Sequence, residues 1–306
     1  MMAATMQTIP DFMRGLRGAL VTDEPMEKHT SWRVGGCADL FYTPADKADL
    51  IALMKQLPEE LAVHWIGLGS NLLVSDEGIR GLVIRTSKGL NEISEYDSTS
   101  LYVEAGVSSA RVARVASRLG LQGAGFLAGV PGSFGGALAM NAGAFGSETW
   151  QWVEQVEGIN RKGELRSWPK SAIRYGYREV EIPEGFGLVS GILRLQEAAE
   201  NWGGREQIRS LLEKRSASQP IQTANAGSVF RNPSEGYAAA YIEGAGLKGK
   251  RIGGAQISQK HANFIINDGN ATAQDILALI ELMRDTVQAQ FGVKLETEVR
   301  IMGEVL

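Results

Sequence analysis

The chain has 306 residues and a formal net charge of −4, with no cluster of lysine and arginine along it. This length is enough for two domains, and the charge argues against nucleic acid as the main partner. The single cysteine, Cys37, cannot form an internal disulfide, and we expect its thiol to be buried. The first fifteen residues contain no apolar signal-peptide core, so we expect a cytoplasmic protein.

Short strands alternate with helices in the first part of the chain. Strands are predicted at "CADLFYTP", "AVHWIGLG", "GLVIRT" and "LYVEAG". After the first of these, Pro44 as the first helical residue and Asp46 in the first turn predict a helix through about Lys55. The segment "SSARVARVASRLGLQG" predicts a second helix that ends at Gly120.

The segment "AGVPGSFGGALAMNAGAFG", residues 128–146, is rich in glycine and contains no charged residue. Pro131 and the glycines would break a membrane-spanning helix, whereas apolar residues such as Phe145, which we expect in the core, are absent from flexible linkers. We therefore predict a tightly folded loop followed by a helix that starts between Ser133 and Gly136. Some group must approach this bare backbone closely.

Two glycine-rich loops could bind phosphate. The loop "GLGSNL", which begins at Gly67, resembles the start of a Rossmann fingerprint, but Leu72 occupies its sixth position and "LLVSDEGIRG" after it looks extended. No stretch ends in the Gly-Lys-Ser/Thr of a P-loop. Loops 67–76 and 128–146 nevertheless both offer clustered backbone N–H donors. We interpret them as holding a dinucleotide from two sides.

The chain changes character near residue 200. The segment "NWGGREQIRSLLEKR" predicts a helix, and "SASQPIQTANAG" predicts a polar connection between domains. Further on, "TAQDILALIELMRDTVQAQFG" predicts an amphipathic helix with Thr272 as its N-cap and Gly292 at its end. The last segment, "VKLETEVRIMG", alternates as a strand. We therefore place a second domain at residues 201–306.

Seven segments, in order along the chain, resemble those of the UDP-N-acetylenolpyruvoylglucosamine reductase (UDP-N-acetylmuramate dehydrogenase) family. The resemblance covers about residues 24–303, and seven ordered motifs are far more specific than any one of them. The short stretch between Arg178 and Ser228 resembles the compact subtype of the family, which lacks an extra loop over the substrate. The segments are "HTSWRVGGCADLF", "IGLGSNLLVSDEGIRGLVI", "AGVPGSFGGALAMNAGAFG", "YGYRE", "AGSVFRNP", "GLKGKRIGGAQISQKHANFIIN" and "LETEVRIMG".

The resemblance implies an α+β fold, in which an FAD-binding domain of the vanillyl-alcohol oxidase type precedes a C-terminal α+β substrate domain. We expect the FAD domain at residues 1–200, with two α+β subdomains at about 1–98 and 99–200. The resemblance also implies noncovalent FAD, NADPH as co-substrate and no metal. The residues that it assigns to FAD binding are Gly67, Gly69, Ser70, Asn71, Leu72, Gly129, Pro131, Gly132, Ser133, Gly135, Gly136, Asn141, Gly143 and Ala144.

The implied activity is a step of peptidoglycan-precursor synthesis by a monomeric enzyme that needs neither nucleic acid nor a membrane. NADPH reduces FAD, and the enolpyruvyl ether of UDP-N-acetylglucosamine then takes a hydride at its outer vinyl carbon and a proton at its inner carbon. By resemblance, Arg178 stabilises the growing carboxylate charge, Ser228 donates the proton and Glu298 completes the site. The residues assigned to substrate binding are Tyr177, Asn232, Lys248, Lys260 and His261.

Without the resemblance, the three catalytic candidates have ordinary explanations. Arg178 lies in a charged turn, Ser228 follows a glycine as turn residues do, and Glu298 lies on a polar strand face. Two other functions stay open. A flavin oxidase of the same fold often holds FAD covalently on a histidine of the first pyrophosphate loop, but loop 67–76 has none. A noncatalytic nucleotide-binding protein would not require the three residues together.

Overall fold

The computed structural model of the chain describes residues 10–199 and 202–304. A four-stranded sheet and one helix form its first structural unit. The elements are β1 (Ala19–Pro25), β2 (Cys37–Thr43), α1 (Lys47–Gln56), β3 (Val63–Ile66), β4 (Leu72–Val74) and β5 (Ile79–Arg85), with 3-10 turns at Asp11–Met13 and Met26–His29. The sheet order is β1-β2-β5-β3, where β1 is antiparallel to β2 while β2 and β3 run parallel to β5. Strand β4 lies outside this sheet.

A five-stranded antiparallel sheet forms the second unit. Its strand order is β12-β11-β15-β7-β6, and the glycine-rich segment packs a short helix, α3, against it. Phe134, Leu138 and Trp150 are fully buried in this core. The elements are β6 (Ile93–Asp97), β7 (Ser100–Glu104), α2 (Ser109–Arg118), β8 (Leu121–Gln122), a 3-10 helix (Gly125–Gly129), α3 (Phe134–Ala139), β9 (Gly143–Ala144), β10 (Ser147–Glu148), α4 (Thr149–Trp152), β11 (Val153–Asn160), β12 (Leu165–Pro169), a 3-10 turn (Lys170–Ala172), β13 (Tyr175–Gly176), β14 (Glu179–Val180), β15 (Phe186–Arg194) and β16 (Gln196–Glu197).

The C-terminal part packs a long helix, α7, on a small antiparallel sheet, β17-β18-β19. Trp32 from the first unit is fully buried in this core and donates its indole N–H to the Ile265 carbonyl at 2.7 Å. Helix α5 packs instead on the second unit, where Ile208 joins the core. The elements are α5 (Gly204–Ser218), α6 (Ala238–Gly244), β17 (Arg251–Ile252), β18 (Ala255–Ile257), β19 (Ile265–Asn267), α7 (Ala273–Phe291) and β20 (Arg300–Met302).

The C-terminal part is joined to the first unit by β4 and β20, which pair in parallel. Just after β4, the Asp76 carboxylate accepts two N–H groups of the first turn of α7, from Ala273 at 2.8 Å and Gln274 at 3.0 Å. An anion at this position satisfies helix N–H groups that have no partner inside the helix. The first glycine loop and the longest helix are therefore held together directly.

Most predicted elements are confirmed, and so is the α+β class. Helix α7 begins after its N-cap Thr272 and ends at Gly292, which has a left-handed φ of 71°. Helix α2 is followed by Gly120, which has a φ of 69°. The chain after Gly67 is extended and not helical, as expected for a loop that is not a Rossmann fingerprint. No helix within the described ranges is both long and apolar enough to cross a bilayer.

Four predictions of detail are wrong. Helix α1 starts at Lys47, because the Asp46 side chain accepts from the Asp49 N–H and so acts as the N-cap rather than lying in the first turn. Cys37 is exposed at the start of β2. Phe145 is 41% exposed rather than buried. Of the last predicted strand only β20 is regular, because residues 293–299 make isolated contacts with the chain near residue 230 instead of a ladder.

We predict that Asp76→Ala lowers the free energy of unfolding by about 1 kcal/mol, the usual effect of removing a helix-capping acceptor. Urea unfolding followed by circular dichroism measures it. The matched control is Glu77→Ala, which removes the same charge one residue away, from an exposed carboxylate. It should cost less than about 0.5 kcal/mol, as surface substitutions do. Equal losses in the two variants would show that the contact with α7 contributes nothing.

Candidate active site

A cleft of about 680 Å³ lies where the three parts of the chain meet. Loop 65–72 comes from the first unit, residues 129–145 and 177–188 come from the second, and residues 226–232 come from the C-terminal part. Ligand sites in proteins commonly lie between domains and have volumes of this order. The cleft is therefore the candidate active site.

The two glycine-rich loops touch each other at the wall of this cleft. The Ser70 hydroxyl donates to the Pro131 carbonyl at 3.0 Å. A Cβ atom on Gly67 would lie only 2.0 Å from the Ser133 Oγ, and one on Gly132 would lie 2.5 Å from the Ser70 Oγ. Part of the bare backbone is therefore required by the contact between the loops themselves.

Gly136 is different, because it is exposed in the cleft. A Cβ atom there would meet only the Ser133 Oγ, at an ordinary 3.6 Å. The protein itself therefore leaves room for a side chain at this position. A bound molecule that lies against the first turn of α3 would leave no room for that side chain.

The backbone donors near α3 are distributed unevenly. Ser133 is the N-cap of this helix, and the next three N–H groups already have acceptors within the protein: Phe134 donates to Val107 O at 2.7 Å, Gly135 to Ala105 O at 2.8 Å and Gly136 to Ser133 Oγ at 3.3 Å. Among the other N–H groups of the two loops, those of Ser70, Asn71, Gly132 and Ser133 meet no acceptor among the described residues. These four are available to an anion such as a pyrophosphate.

Arg178 is held in place by the glycine-rich segment. Its guanidinium donates to the carbonyls of Asn141 at 3.1 Å and Gly143 at 3.0 Å, and only 15% of the side chain is exposed. The residue has a left-handed φ of 57°. Its Nε lies 3.4 Å from Glu298 Oε1. Arg178 is therefore a fixed cation inside the cleft and not the solvated surface arginine that its neighbours in sequence suggest.

Glu298 reaches the cleft from the extended segment before β20. Its N–H donates to the Val229 carbonyl at 2.8 Å, and its carbonyl accepts from the Asn71 side chain at 3.0 Å. Only 14% of its side chain is exposed. Burial raises the pKa of Glu298, while Arg178 and Arg231 act in the opposite direction. The carboxyl group is thus easier to protonate than an exposed glutamate.

Ser228 lies next to Val229 in the segment that pairs with Glu298, and it lines the same cleft. Its side chain is half-buried, and its hydroxyl has no hydrogen-bond partner among the described residues. The structure therefore brings Arg178, Ser228 and Glu298 to one cleft from three distant parts of the chain. The hydroxyl is free to bond to a bound molecule.

The remaining predicted residues divide into two groups. Of the residues assigned to FAD, all but Asn141 line the cleft; Asn141 is 1% exposed and bonds to Glu148 and Gly176 of the protein. Of those assigned to the substrate, Tyr177 and Asn232 line the cleft. The other three lie outside its wall: Lys248 pairs with Glu243 at 3.1 Å, Lys260 bonds to the Ser216 carbonyl, and His261 has a pKa lowered by burial and by Lys248. Their roles stay predictions.

Three cations of the cleft were not predicted from the sequence: Arg300, and Lys214 and Arg215 of α5. Arg300 donates to the Ala139 carbonyl at 3.0 Å, at the C-terminus of α3, where a positive charge is favourable. Arg215 on α5 is half-buried, bonds to Gln219 at 2.9 Å, and has a pKa lowered by burial. The alternation of Arg300 with Glu298 along one strand face could have indicated the first of these. Nothing in the sequence of α5 marks Lys214 or Arg215 as residues of the cleft.

Similarity to known proteins agrees with this geometry. Residues 219–302 match the family model for the UDP-N-acetylenolpyruvoylglucosamine reductase C-terminal domain, and residues 38–168 match that for an FAD-binding domain. UDP-N-acetylenolpyruvoylglucosamine reductases from Methylococcus capsulatus and Alkalilimnicola ehrlichii are both 50% identical, covering 94% and 92% of this chain and 94% of each relative.

The crystal structure of the Thermus caldophilus UDP-N-acetylenolpyruvylglucosamine reductase superposes with a TM-score of 0.79 at 32% identity, covering 94% of this chain and all of that one. These matches confirm the predicted order of an FAD-binding domain and a family-specific C-terminal domain. The boundary that we place near residue 200 stays a prediction. The chain belongs to the UDP-N-acetylenolpyruvoylglucosamine reductase family, and it is an FAD-dependent oxidoreductase.

Proposed function

We propose that this enzyme uses NADPH to reduce the enolpyruvyl ether of UDP-N-acetylglucosamine to UDP-N-acetylmuramate, in cytoplasmic peptidoglycan-precursor synthesis. The observation that carries the proposal is the convergence of Arg178, Ser228 and Glu298 on the cleft that the two glycine loops line. A cation, a hydroxyl and a buried carboxyl group are the set needed to hold a carboxylate and to protonate the carbon next to it. A protein that only binds nucleotides has no use for all three.

The glycine loops fit the pyrophosphate of FAD. The free N–H groups of Ser70, Asn71, Gly132 and Ser133 supply donors from both loops, and exposed Gly136 lets a ligand approach α3. When bound and reduced by NADPH, FAD supplies a hydride in the cleft. None of the described residues that line the cleft is a histidine, so we expect the cofactor to be held without a covalent bond.

We infer that the Arg178 guanidinium binds the carboxylate of the enolpyruvyl group. Transfer of hydride to the outer vinyl carbon moves negative charge into that carboxylate, and a cation already fixed by two carbonyls stabilises this charge without reorganising. Glu298 lies beside this cation. If it were ionised, Glu298 and the substrate carboxylate would both lie beside a guanidinium that already has the Glu148 carboxylate at 3.6 Å. Repulsion between these anions acts in the same direction as burial, which raises the pKa of Glu298, so we infer that Glu298 is protonated in the substrate complex and donates a hydrogen bond to the substrate.

Ser228 is proposed to deliver the proton to the inner carbon. One hydride and one proton then saturate the C=C bond, and NADPH is oxidised to NADP⁺, so electrons and atoms balance. The hydroxyl has no partner among the described residues, so it can donate to the substrate. Gly227 before it has a left-handed φ of 80°, which glycine adopts without strain, and it lines the cleft together with Ser228.

Anaerobic spectroscopy tests the function. Added NADPH should bleach the flavin absorption of the wild-type enzyme, and the enolpyruvyl substrate should restore it without oxygen. For Ser228→Ala, bleaching should stay fast while recovery slows by roughly 10²- to 10⁴-fold, the usual contribution of a general acid. Recovery slowed by less than about tenfold would reject the serine role. A wild-type flavin that only oxygen can reoxidise would reject the reductase activity itself.

The role of Glu298 is tested by comparing Glu298→Gln with Glu298→Ala. Gln keeps a neutral donor, so it should retain much more of the rate of flavin reoxidation than Ala, while NADPH reduction stays near normal in both. Because the donor is the protonated acid, the wild-type rate should fall as pH rises through the raised pKa of Glu298. The Gln variant should lack this fall. Equally poor Gln and Ala variants would indicate an obligatory anion instead.

Gly136→Ala tests the position of the cofactor. A Cβ atom has room within the protein, and alanine favours a helix over glycine by about 1 kcal/mol, so the flavin-free protein should be no less stable than the wild type. Flavin affinity should nevertheless fall, because the methyl group occupies space needed by the ligand. Flavin fluorescence titration measures the affinity. An unchanged affinity with a normal fold would place FAD elsewhere.

A further inference from the structure

A second groove, of about 1070 Å³, lies between helices α2 and α5. It is separate from the flavin cleft, and no residue lines both. Ile93 of β6 and Ile221, after α5, complete its wall. Five arginines line it, three from α2 and two from α5: Arg111, Arg114, Arg118, Arg205 and Arg209.

The positive charge of this groove is mostly unneutralised. Glu213 is the carboxylate of the groove wall, and it pairs with Arg209 at 2.9 Å. Arg111 bonds to Asn91. The other three arginines have no hydrogen-bond or ion-pair partner among the described residues: Arg114, Arg118 and Arg205. A chain with a net charge of −4 thus concentrates positive charge in one place, which favours a partner of opposite charge.

The floor of the groove is apolar. Ile208 of α5 belongs to the core of the second unit, Val115 of α2 packs against that core, and both line the groove. Leu212 is 40% exposed and Ile221 is 42% exposed, which are large fractions for such side chains. The groove therefore offers apolar contacts along its length in addition to charge.

The spacing of the charges indicates what could fill the groove. The α2 arginines at 111, 114 and 118 recur every three or four residues, so they share one helix face and span about 10 Å along it. A single phosphate would use two or three cations that converge on one point. Charges spread along a groove with an apolar floor instead match a helix that carries acidic side chains beside an apolar stripe.

We propose that this groove binds an acidic amphipathic helix of a partner protein, with its apolar side chains on Leu212 and Ile221 and its carboxylates on the arginines. The proposal is independent of the reaction in the flavin cleft. The two sites are nevertheless connected, because α5 has one face in the groove and an opposite face, with Lys214, Arg215 and Ser218, in the cleft. A bound partner would therefore contact the helix that forms part of the wall of the active site.

The test uses the flavin-loaded enzyme and a display library of helical peptides. Selected peptides should carry aspartate or glutamate beside an apolar stripe. They should bind the double variant Arg114→Glu/Arg205→Glu at least about tenfold more weakly than wild type, a loss of 1.4 kcal/mol or more. The matched control is Lys88→Glu/Lys162→Glu, which changes the net charge equally at exposed sites outside the groove and should bind normally. Both arginines are exposed, so the groove variant should stay folded and active.

A second measurement distinguishes the partner from other occupants. A photo-cross-linking amino acid in place of Leu212 should label a segment of a partner protein in cells, whereas the same amino acid in place of exposed Tyr96 should not. A synthetic peptide with the sequence of that segment should bind wild type more tightly than the variant that lacks the groove arginines. Selected peptides that bind both double variants equally would overturn the proposal. Inorganic phosphate or phosphatidylglycerol vesicles that bind through these arginines, in place of peptides, would overturn it as well.

Discussion

The site depends on contacts made by one side chain and one backbone group of Asn71. The side chain donates to the Glu298 carbonyl at 3.0 Å, and the backbone carbonyl of the same residue accepts from the Arg300 N–H at 3.0 Å. These bonds start the parallel pairing of β20 with β4, so the last segment of the chain lies on the first glycine loop. They also bring Glu298 to within 3.4 Å of Arg178. Loop 67–76, which is assigned to FAD binding, therefore also holds Glu298 in position beside Arg178.

The electrostatics of the cleft follow from this arrangement. Arg178 is fixed by carbonyls of the glycine-rich segment, and Glu298 is buried beside it in a position where burial outweighs the neighbouring cations and raises its pKa. The protein thus places a fixed cation and a carboxyl group that is readily protonated at one point. Each comes from a different structural unit, so the pair exists only when the units are joined. This explains why isolated motifs in the sequence show so little of the site.

The sequence predicts local structure best where one pattern dominates. The apolar period and both ends of α7 were predicted because a capping threonine and a terminal glycine fix them locally. The start of α1 was missed because Pro44 and Asp46 both signal a helix start, and only the hydrogen bond of Asp46 decides between them. The alternation at the C-terminus correctly indicates extended chain, but it cannot show that this chain meets the segment near residue 230 at an isolated bridge and not in a ladder. Whether a side chain faces solvent or a binding site is harder still to predict, since Arg215 lies in a sequence typical of an exposed helix and yet lines the cleft.

A crystal structure of the oxidised, FAD-loaded wild-type enzyme with the enolpyruvyl substrate, which is not reduced in the absence of NADPH, shows directly how the substrate lies against the three side chains. We predict that the substrate carboxylate lies within hydrogen-bond distance of both the Arg178 guanidinium and the Glu298 carboxyl group. The inner vinyl carbon should lie within reach of the Ser228 hydroxyl. A substrate carboxylate bound away from Arg178 and Glu298, or a Ser228 that points out of the cleft, would contradict it.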